Sequence, residues 1–225
     1  MPVERDREFH IASGPRVLRA DADAGTDEIA ARAARTFEGM GLVVMPTDTV
    51  YGLAASLDSP CALEHIFEAK RRPREMPLPV LISSAADADR LTREPLSGMA
   101  RALCDTFWPG ALTVIVEASE RVPAAVTAGR GTVGLRVPDN DIARAIIAAA
   151  GGALAVTSAN VSGAPVVVDA DSLDADLLAH VGLVVDGGRC RGGMPSTVVD
   201  LTSATPTVLR EGAIPTADVL AVLDE

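Results

Sequence analysis

Several short segments of this chain carry side chains able to do chemistry, each beside a predicted strand or helix end. Pro46-Thr47-Asp48-Thr49-Val50-Tyr51-Gly52-Leu53 follows the apolar run Leu42-Val43-Val44-Met45 and contains the only tyrosine. Hydroxyls and a carboxylate at a strand end suit the clefts where α/β proteins bind ligands. An Asx-type turn with Tyr51 as packing would use the same residues. Lys70-Arg71-Arg72-Pro73-Arg74 is the one dense basic cluster. Lys70 and Arg72 could neutralise phosphates, with Pro73 stiffening the turn that aims them. Equally, Lys70 could be only a dipole partner at a helix C-terminus and the arginines solvated; as a helix-end lysine with a catalytic role, its replacement by Ala is expected to cut turnover far more than stability.

Further segments have the same double character. Trp108-Pro109-Gly110-Ala111-Leu112-Thr113 is a Pro-Gly turn before a strand, and its lone tryptophan could simply cover the core. Arg136 interrupts the apolar strand Thr132–Val137, so its charge needs a partner, either a ligand carboxylate or a structural Asp. Thr157-Ser158-Ala159-Asn160-Val161-Ser162-Gly163 crowds hydroxyl and amide groups with small-residue backbone, as a phosphate nest or an ordinary Ser/Asn turn does. Ser196-Thr197-Val198-Val199-Asp200 and Val208-Leu209-Arg210-Glu211-Gly212 each set polar residues at strand ends. Two familiar nucleotide signatures fail. No G-x-x-x-x-G-K-[ST] run occurs, and Gly129-Arg130-Gly131-Thr132-Val133-Gly134 leads into a strand, whereas a dinucleotide loop leaves a strand and opens a helix.

The elements that must position these groups are interleaved. Helices are predicted from Thr26 (as N-cap, with Ile29, Ala33, Phe37 and Met40 inward), from Ser59-Pro60 to Lys70, and over 95–107 with Leu96, Met99, Leu103 and Phe107 inward. Further helices are predicted over 140–150 and 216–223. Short strands are predicted over 42–45, 78–82, 112–116, 132–137, 154–157, 183–186, 197–201 and 207–209. Strict βα alternation is broken, which predicts a mixed α/β sheet with flanking helices. Residues 1–20 read as a tail or extra edge element, and 21–225 as a single domain. The glycine-rich stretch 187–193 has the composition of a mobile lid.

Bulk properties narrow the function. The chain has 225 residues, 48% of them hydrophobic and only 3% aromatic, so the core must be built from Ala, Val and Leu. A net charge of −11 opposes broad nucleic-acid binding and suits one compact anion at one basic cluster. Three cysteines and three histidines lie scattered, without C-x-x-C, so neither a disulfide framework nor a metal site is predicted. No apolar run reaches the ~20 residues that span a bilayer, and the charged N-terminus lacks a secretory signal, which predicts a cytoplasmic protein.

In order, P-T-D-T-V-Y-G-L, K-R-R-P, W-P-G-A-L-T, V-G-L-R-V-P, T-S-A-N-V-S-G, S-T-V-V-D and V-L-R-E-G resemble the blocks of the YrdC/Sua5 family, across about residues 27–214. The resemblance implies an open, twisted sheet with a concave ligand-binding face. It also implies synthesis of L-threonylcarbamoyl-AMP from L-threonine, bicarbonate and ATP, with Mg²⁺ accompanying the ATP and pyrophosphate released. A partner complex would then transfer the group to tRNA, which this chain itself would contact only weakly. By motif, Lys70 and Arg72 would act on phosphates or the activated carboxyl. Thr47, Tyr51, Arg136 and Ser196 would line the threonine site, and Thr113, Ser158, Asn160 and Arg210 would join Lys70 and Arg72 at ATP. Met76 and Leu81 depart from the family pattern, where many members have a polar residue and some a His. A carbamoyltransferase using carbamoyl phosphate, or an RNA-binding module without chemistry, are the rival readings.

Overall fold

The computed structural model describes residues 14–20 and 24–224. Most of the 1–20 element, 1–13, lies outside the described residues, as do 21–23 and 225. In chain order the first elements are β1 (Arg16–Arg19), α1 (Thr26–Glu38), β2 (Leu42–Met45), β3 (Gly52–Ser56) and α2 (Pro60–Lys70). Next come β4 (Val80–Ile82), α3 (Gly98–Phe107), β5 (Leu112–Glu117), α4 (Ala124–Thr127), β6 (Thr132–Arg136) and α5 (Asp141–Ala149). The last are β7 (Ala153–Ser158), α6 (Ala175–Leu178), β8 (Val181–Asp186), β9 (Thr197–Asp200), β10 (Thr207–Arg210) and α7 (Thr216–Leu223).

All ten strands join one sheet in the order β1-β8-β2-β3-β7-β4-β6-β5-β9-β10. Parallel pairs (β1·β8, β8·β2, β4·β6, β5·β9) mix with antiparallel ones, so the mixed sheet read from the sequence is the sheet observed. β1 is the edge strand on β8. Because side chains alternate along a strand, one face collects Leu42, Val44, Leu53, Val80, Leu112, Val114, Val133, Leu135 and Val199. That face packs beneath α2, α3, α4, α6 and α7, which contribute Ile66, Leu103, Val126, Leu177 and Val219 to the same cluster.

The opposite face is covered only in part. α1 and α5 lie against it through Ile29, Ala33, Phe37, Ala143, Ile146 and Ile147, over residues of β1, β8, β2, β3, β7 and β4. Among the described residues, no side chain of β5, β6, β9 or β10 enters this second cluster. The sheet therefore presents bare strands from β6 to β10, and the concave face follows from this deficit of helices.

Local differences from the sequence reading have local causes. The cap of α1 is Gly25, in extended conformation, so Thr26 is the first helical residue and not the cap. Met40 lies beyond the helix with a φ of 62° and is exposed, not inward. α3 begins only at Gly98, and Met99 faces outward at 43% exposure. β3 was not predicted because Gly-Leu-Ala-Ala-Ser lacks the β-branched residues that mark strands. It forms because the turn after β2 folds it back as an antiparallel neighbour, buried on both faces. Ser59 and Asn140 cap α2 and α5 by accepting from Ala62 N (3.2 Å) and Ala143 N (2.9 Å).

Candidate functional site

Over the uncovered strands lies a cavity of about 650 Å³, within the size range of small-ligand sites. Its floor is the outward row of each strand: Thr132, Gly134 and Arg136 of β6, Thr113 and Ile115 of β5, and Val198 and Asp200 of β9. Thr47, Thr49 to Gly52, Arg72, Met76 to Pro79 and Ser158 form walls, and Pro195, Ser196 and Arg210 close the far side. Of the residues singled out from the sequence, Thr47, Tyr51, Arg72, Thr113, Arg136, Ser158, Ser196 and Arg210 meet here, from seven separate segments. Lys70 and Asn160 do not line it.

The wall after β2 is built by Thr47. Its hydroxyl donates to Val50 O (2.6 Å) and accepts from Thr49 N and Val50 N (both 3.2 Å), forming the tight turn that leads into β3. Within that turn Asp48 and Thr49 face Arg136. The Arg136 guanidinium, 5% exposed, donates from Nε to Gly110 O (2.8 Å), from Nη1 to Thr49 Oγ1 (3.0 Å) and from Nη2 to Asp48 Oδ1. Asp48 is thus the partner that the buried charge requires, and the fork keeps N–H groups for a ligand. Burial pushes the Arg136 guanidinium below its ordinary value, Asp48 opposes this, and Arg210 adds to it.

On the other side, Thr113 Oγ1 and Ser196 Oγ share a hydrogen bond of 2.8 Å across β5 and the loop before β9. Arg210 donates from Nε (3.1 Å) and Nη2 (2.8 Å) to Ser196 O, which aims its guanidinium along the rim. Arg72 is held by Met76 O (3.3 Å) and Pro77 O (2.7 Å). Burial lowers the pKa of both Arg72 and Arg210. Desolvated guanidiniums converging on one cavity from separate elements are the expected signature of an anion site.

Two residues depart from the roles read from the sequence. Tyr51 touches the cavity, but its hydroxyl turns away, donating to Gly188 O (2.7 Å) and accepting from Gly187 N (3.2 Å). Lys70 is 1% exposed, and its ammonium donates to Ser158 O and Asn160 O, while Lys70 O accepts from Ser162 N (3.0 Å). It is not a cheaply removed surface lysine: it fastens the end of α2 to the Ser158–Gly163 loop. Burial, then the charge of Arg72, lowers its pKa to about 8. Asn160 donates to Val161 O (3.1 Å) and Ala164 O (2.7 Å), while its Oδ1 is buried and unpartnered.

The stretch 187–193 is tied to its neighbours and none of its residues lines the cavity. Beyond the Tyr51 contacts, Gly192 N donates to Asp48 O (3.0 Å), Gly193 N to Thr49 O (2.8 Å) and Cys190 N to Val168 O (2.9 Å). Thr49, Arg130 and Asp200 line the cavity and Asp48 pairs with Arg136 beside it; each lies in a segment quoted from the sequence, but none had a ligand role of its own read for it. Asp48 and Thr49 sit inside the first motif, where polar residues one apart at a strand end were the available signal. Arg130 lies in the Gly-Arg-Gly turn that leads into β6; both glycines have left-handed φ, and Arg130 Nη2 donates to Glu75 O (2.9 Å). Met76 and Leu81, the two departures from the family pattern, both line the cavity.

A family model described as Telomere recombination, Sua5_yciO_yrdC, matches residues 36–212. The threonylcarbamoyl-AMP synthase of Pyrococcus abyssi is 39% identical over 184 residues, 82% of this chain and 54% of that one. The chain thus spans about half of that relative's length. A putative threonylcarbamoyl-AMP synthase of Mycobacterium leprae is 40% identical over 204 residues, 91% of each chain. The crystal structure of P. abyssi Sua5 complexed with L-threonine superposes with a TM-score of 0.86 at 36% identity, covering 94% of this chain and 61% of that one. Matching sequence, sheet and open face together place this chain in the Sua5/YciO/YrdC family.

Proposed function

We propose that this chain makes L-threonylcarbamoyl-AMP from L-threonine, bicarbonate and ATP, releasing pyrophosphate. The observation that carries the reading is the open half-sheet on which four arginines and several hydroxyls converge. Its support is membership of a family whose relatives bear that activity in their names, and a relative's structure containing L-threonine.

Chemically, the threonine amine, as its free base, forms an N–C bond to give the carbamate, either with bicarbonate and loss of water or with carbon dioxide and loss of a proton. A carbamate oxygen then attacks the α-phosphorus of ATP, an O–P bond forms, and the bond to pyrophosphate breaks. Every reactant except the amine is anionic, so the main barrier is bringing like charges together. Fixed guanidiniums in a partly desolvated site lower that barrier without reorganising. In this reading the spare N–H groups of Arg136 clamp the threonine carboxylate, in the wall built by Thr47 and Thr49. Arg72, Arg130 and Arg210 neutralise the phosphates, with Thr113, Ser158 and Ser196 supplying hydroxyl contacts. Lys70 acts through the loop: its ammonium holds the Ser158 and Asn160 carbonyls and thereby sets the nest beside the phosphates.

Mg²⁺ would arrive with ATP, bound by phosphate oxygens and water. The cavity's own donor set is guanidiniums, hydroxyls and one carboxylate, and among the described residues no group of three or more His, Cys, Asp or Glu could hold a metal. The lining side chains offer the ion no cage of their own. The product, a reactive mixed anhydride, would pass to a complex that modifies tRNA in the cytoplasm. Among the described residues no helix is long and apolar enough to cross a membrane.

The test is pyrophosphate release from ATP by the purified chain, with threonine and bicarbonate each supplied or omitted. Release that needs both is expected. Release indifferent to threonine would instead favour a carbamoyltransferase, and RNA binding without release a binding module.

A further inference from the structure

Among the described residues Asp200 is the only carboxylate lining the cavity; the other charged groups there are Arg72, Arg130, Arg136 and Arg210. Its Oδ1 accepts from Thr202 N (2.9 Å) and Thr202 Oγ1 (2.7 Å), and the structure shows no ion pair for it among the described residues. Among the described residues no hydrogen bond reaches its Oδ2, and the residue lines the cavity. The neighbouring floor and rim are aliphatic: Ile115 is its register partner on β5, Val198 lies two residues before it on β9, and Leu209 on β10 is 57% exposed. Arg210, on the adjacent strand, is turned toward Ser196.

A carboxylate here is repelled by phosphates, so the part of the ligand facing it must be neutral or cationic. Threonine is excluded by distance. Asp200 lies two strands across and two residues along from Arg136 in the sheet register, about 12 Å between Cα atoms from standard strand spacings. The amine and carboxylate of threonine share one carbon and cannot reach both. What remains is a flat apolar group carrying hydrogen-bond donors at its edge. We infer, resting on the nucleotide reading above, that Asp200 is a specificity-determining residue for the nucleoside. Its free oxygen accepts from a ribose hydroxyl or the exocyclic amine while the base lies on Ile115, Val198 and Leu209.

The test is competition binding to the full chain of ATP, 2′-deoxyATP, 3′-deoxyATP, ITP and inorganic tripolyphosphate, with wild type, Asp200→Asn and Leu209→Ser. Asp200→Asn keeps an oxygen for Thr202 but turns an N–H toward the ligand; Leu209→Ser alters an exposed position and guards against a folding defect in the first variant. The wild type is expected to prefer ATP over at least one analogue by about ten- to a hundredfold, the worth of a hydrogen bond to a charged acceptor. The deoxy arms identify a hydroxyl as the donor and the ITP arm the amine. Asp200→Asn is expected to abolish that preference, and Leu209→Ser to weaken ATP severalfold, with tripolyphosphate unchanged within about twofold in both. If wild type binds ATP and Asp200→Asn keeps the preference, the inference is overturned and the nucleotide reading stands. If wild type binds tripolyphosphate as tightly as ATP, or neither, the nucleotide reading itself fails.

Discussion

Arg136 shows how one side chain serves structure and chemistry together. It satisfies Gly110 O, Thr49 and Asp48 in a nearly dry position, so its truncation would leave Asp48 without its partner. Arg136→Ala is expected to lose about 3–5 kcal/mol in urea unfolding, as breaking a buried pair does. A loss below about 1 kcal/mol would mean that the pair is solvated and weak. Lys70 supplies a pH signature. Its folded pKa of about 8 lies below its ordinary 10.5, so between these values the unfolded chain binds more protons. Stability at Lys70 should therefore rise with pH over that window. Turnover should fall through about pH 8, as the ammonium becomes an amine whose bonds to the Ser158 and Asn160 carbonyls lose their charge assistance. Lys70→Ala should flatten both trends, measured by denaturation and initial rates; trends that persist belong to another group.

Among the elements, β9 and β10 depend on a backbone approach that only glycine permits. Thr197 Oγ1 donates to Ile214 O (2.6 Å) and accepts from Gly212 N (2.9 Å) and Ile214 N (3.1 Å), folding the segment after β10 back over the start of β9. A Cβ on Gly212 would fall 2.2 Å from Pro195 O and 2.6 Å from Ser196 O, both backbone atoms that cannot swing aside. Gly212→Ala is therefore expected to cost about 1–3 kcal/mol as an overpacking change. It should also weaken ATP binding, because Ser196 O is the anchor that aims Arg210. An unaltered melting point and unaltered affinity would show that the segment can lift away freely. The 187–193 stretch is expected to keep the same protease sensitivity with and without ATP and threonine, since its backbone is already bonded to Asp48, Thr49 and Val168.

For the whole molecule, the arrangement of charge matters more than its sum. A chain of net charge −11 gathers four arginines at one concave face, so its far field is negative while its cleft is positive. The KM for ATP is expected to rise severalfold between about 0.05 and 0.5 M salt, as screening shortens the reach of these charges. The KM for threonine, a zwitterion, should move less than about twofold, because its contacts are short and partly buried. Equal salt dependence of both would place the arginines elsewhere than on the phosphates.

Much of this was legible in the residue order. Capping by Ser59 and Asn140, the apolar strands 42–45, 112–116 and 132–137, and the motif blocks are local patterns, and local chemistry produces them. Arg136 announced that it needed a partner because a charge cannot stay alone in an apolar strand. Tertiary structure decided the rest. Whether Asp48 or a ligand meets Arg136, whether Tyr51 presents its hydroxyl or hides it, and whether Lys70 is exposed or pinned all depend on pairs 88 to 137 residues apart. β3 has no strand signal of its own and exists because β2 and β7 flank it. The cavity belongs to no segment. It arises because two helices cover only part of one sheet face, and how far packed elements extend is set by the sum of their contacts.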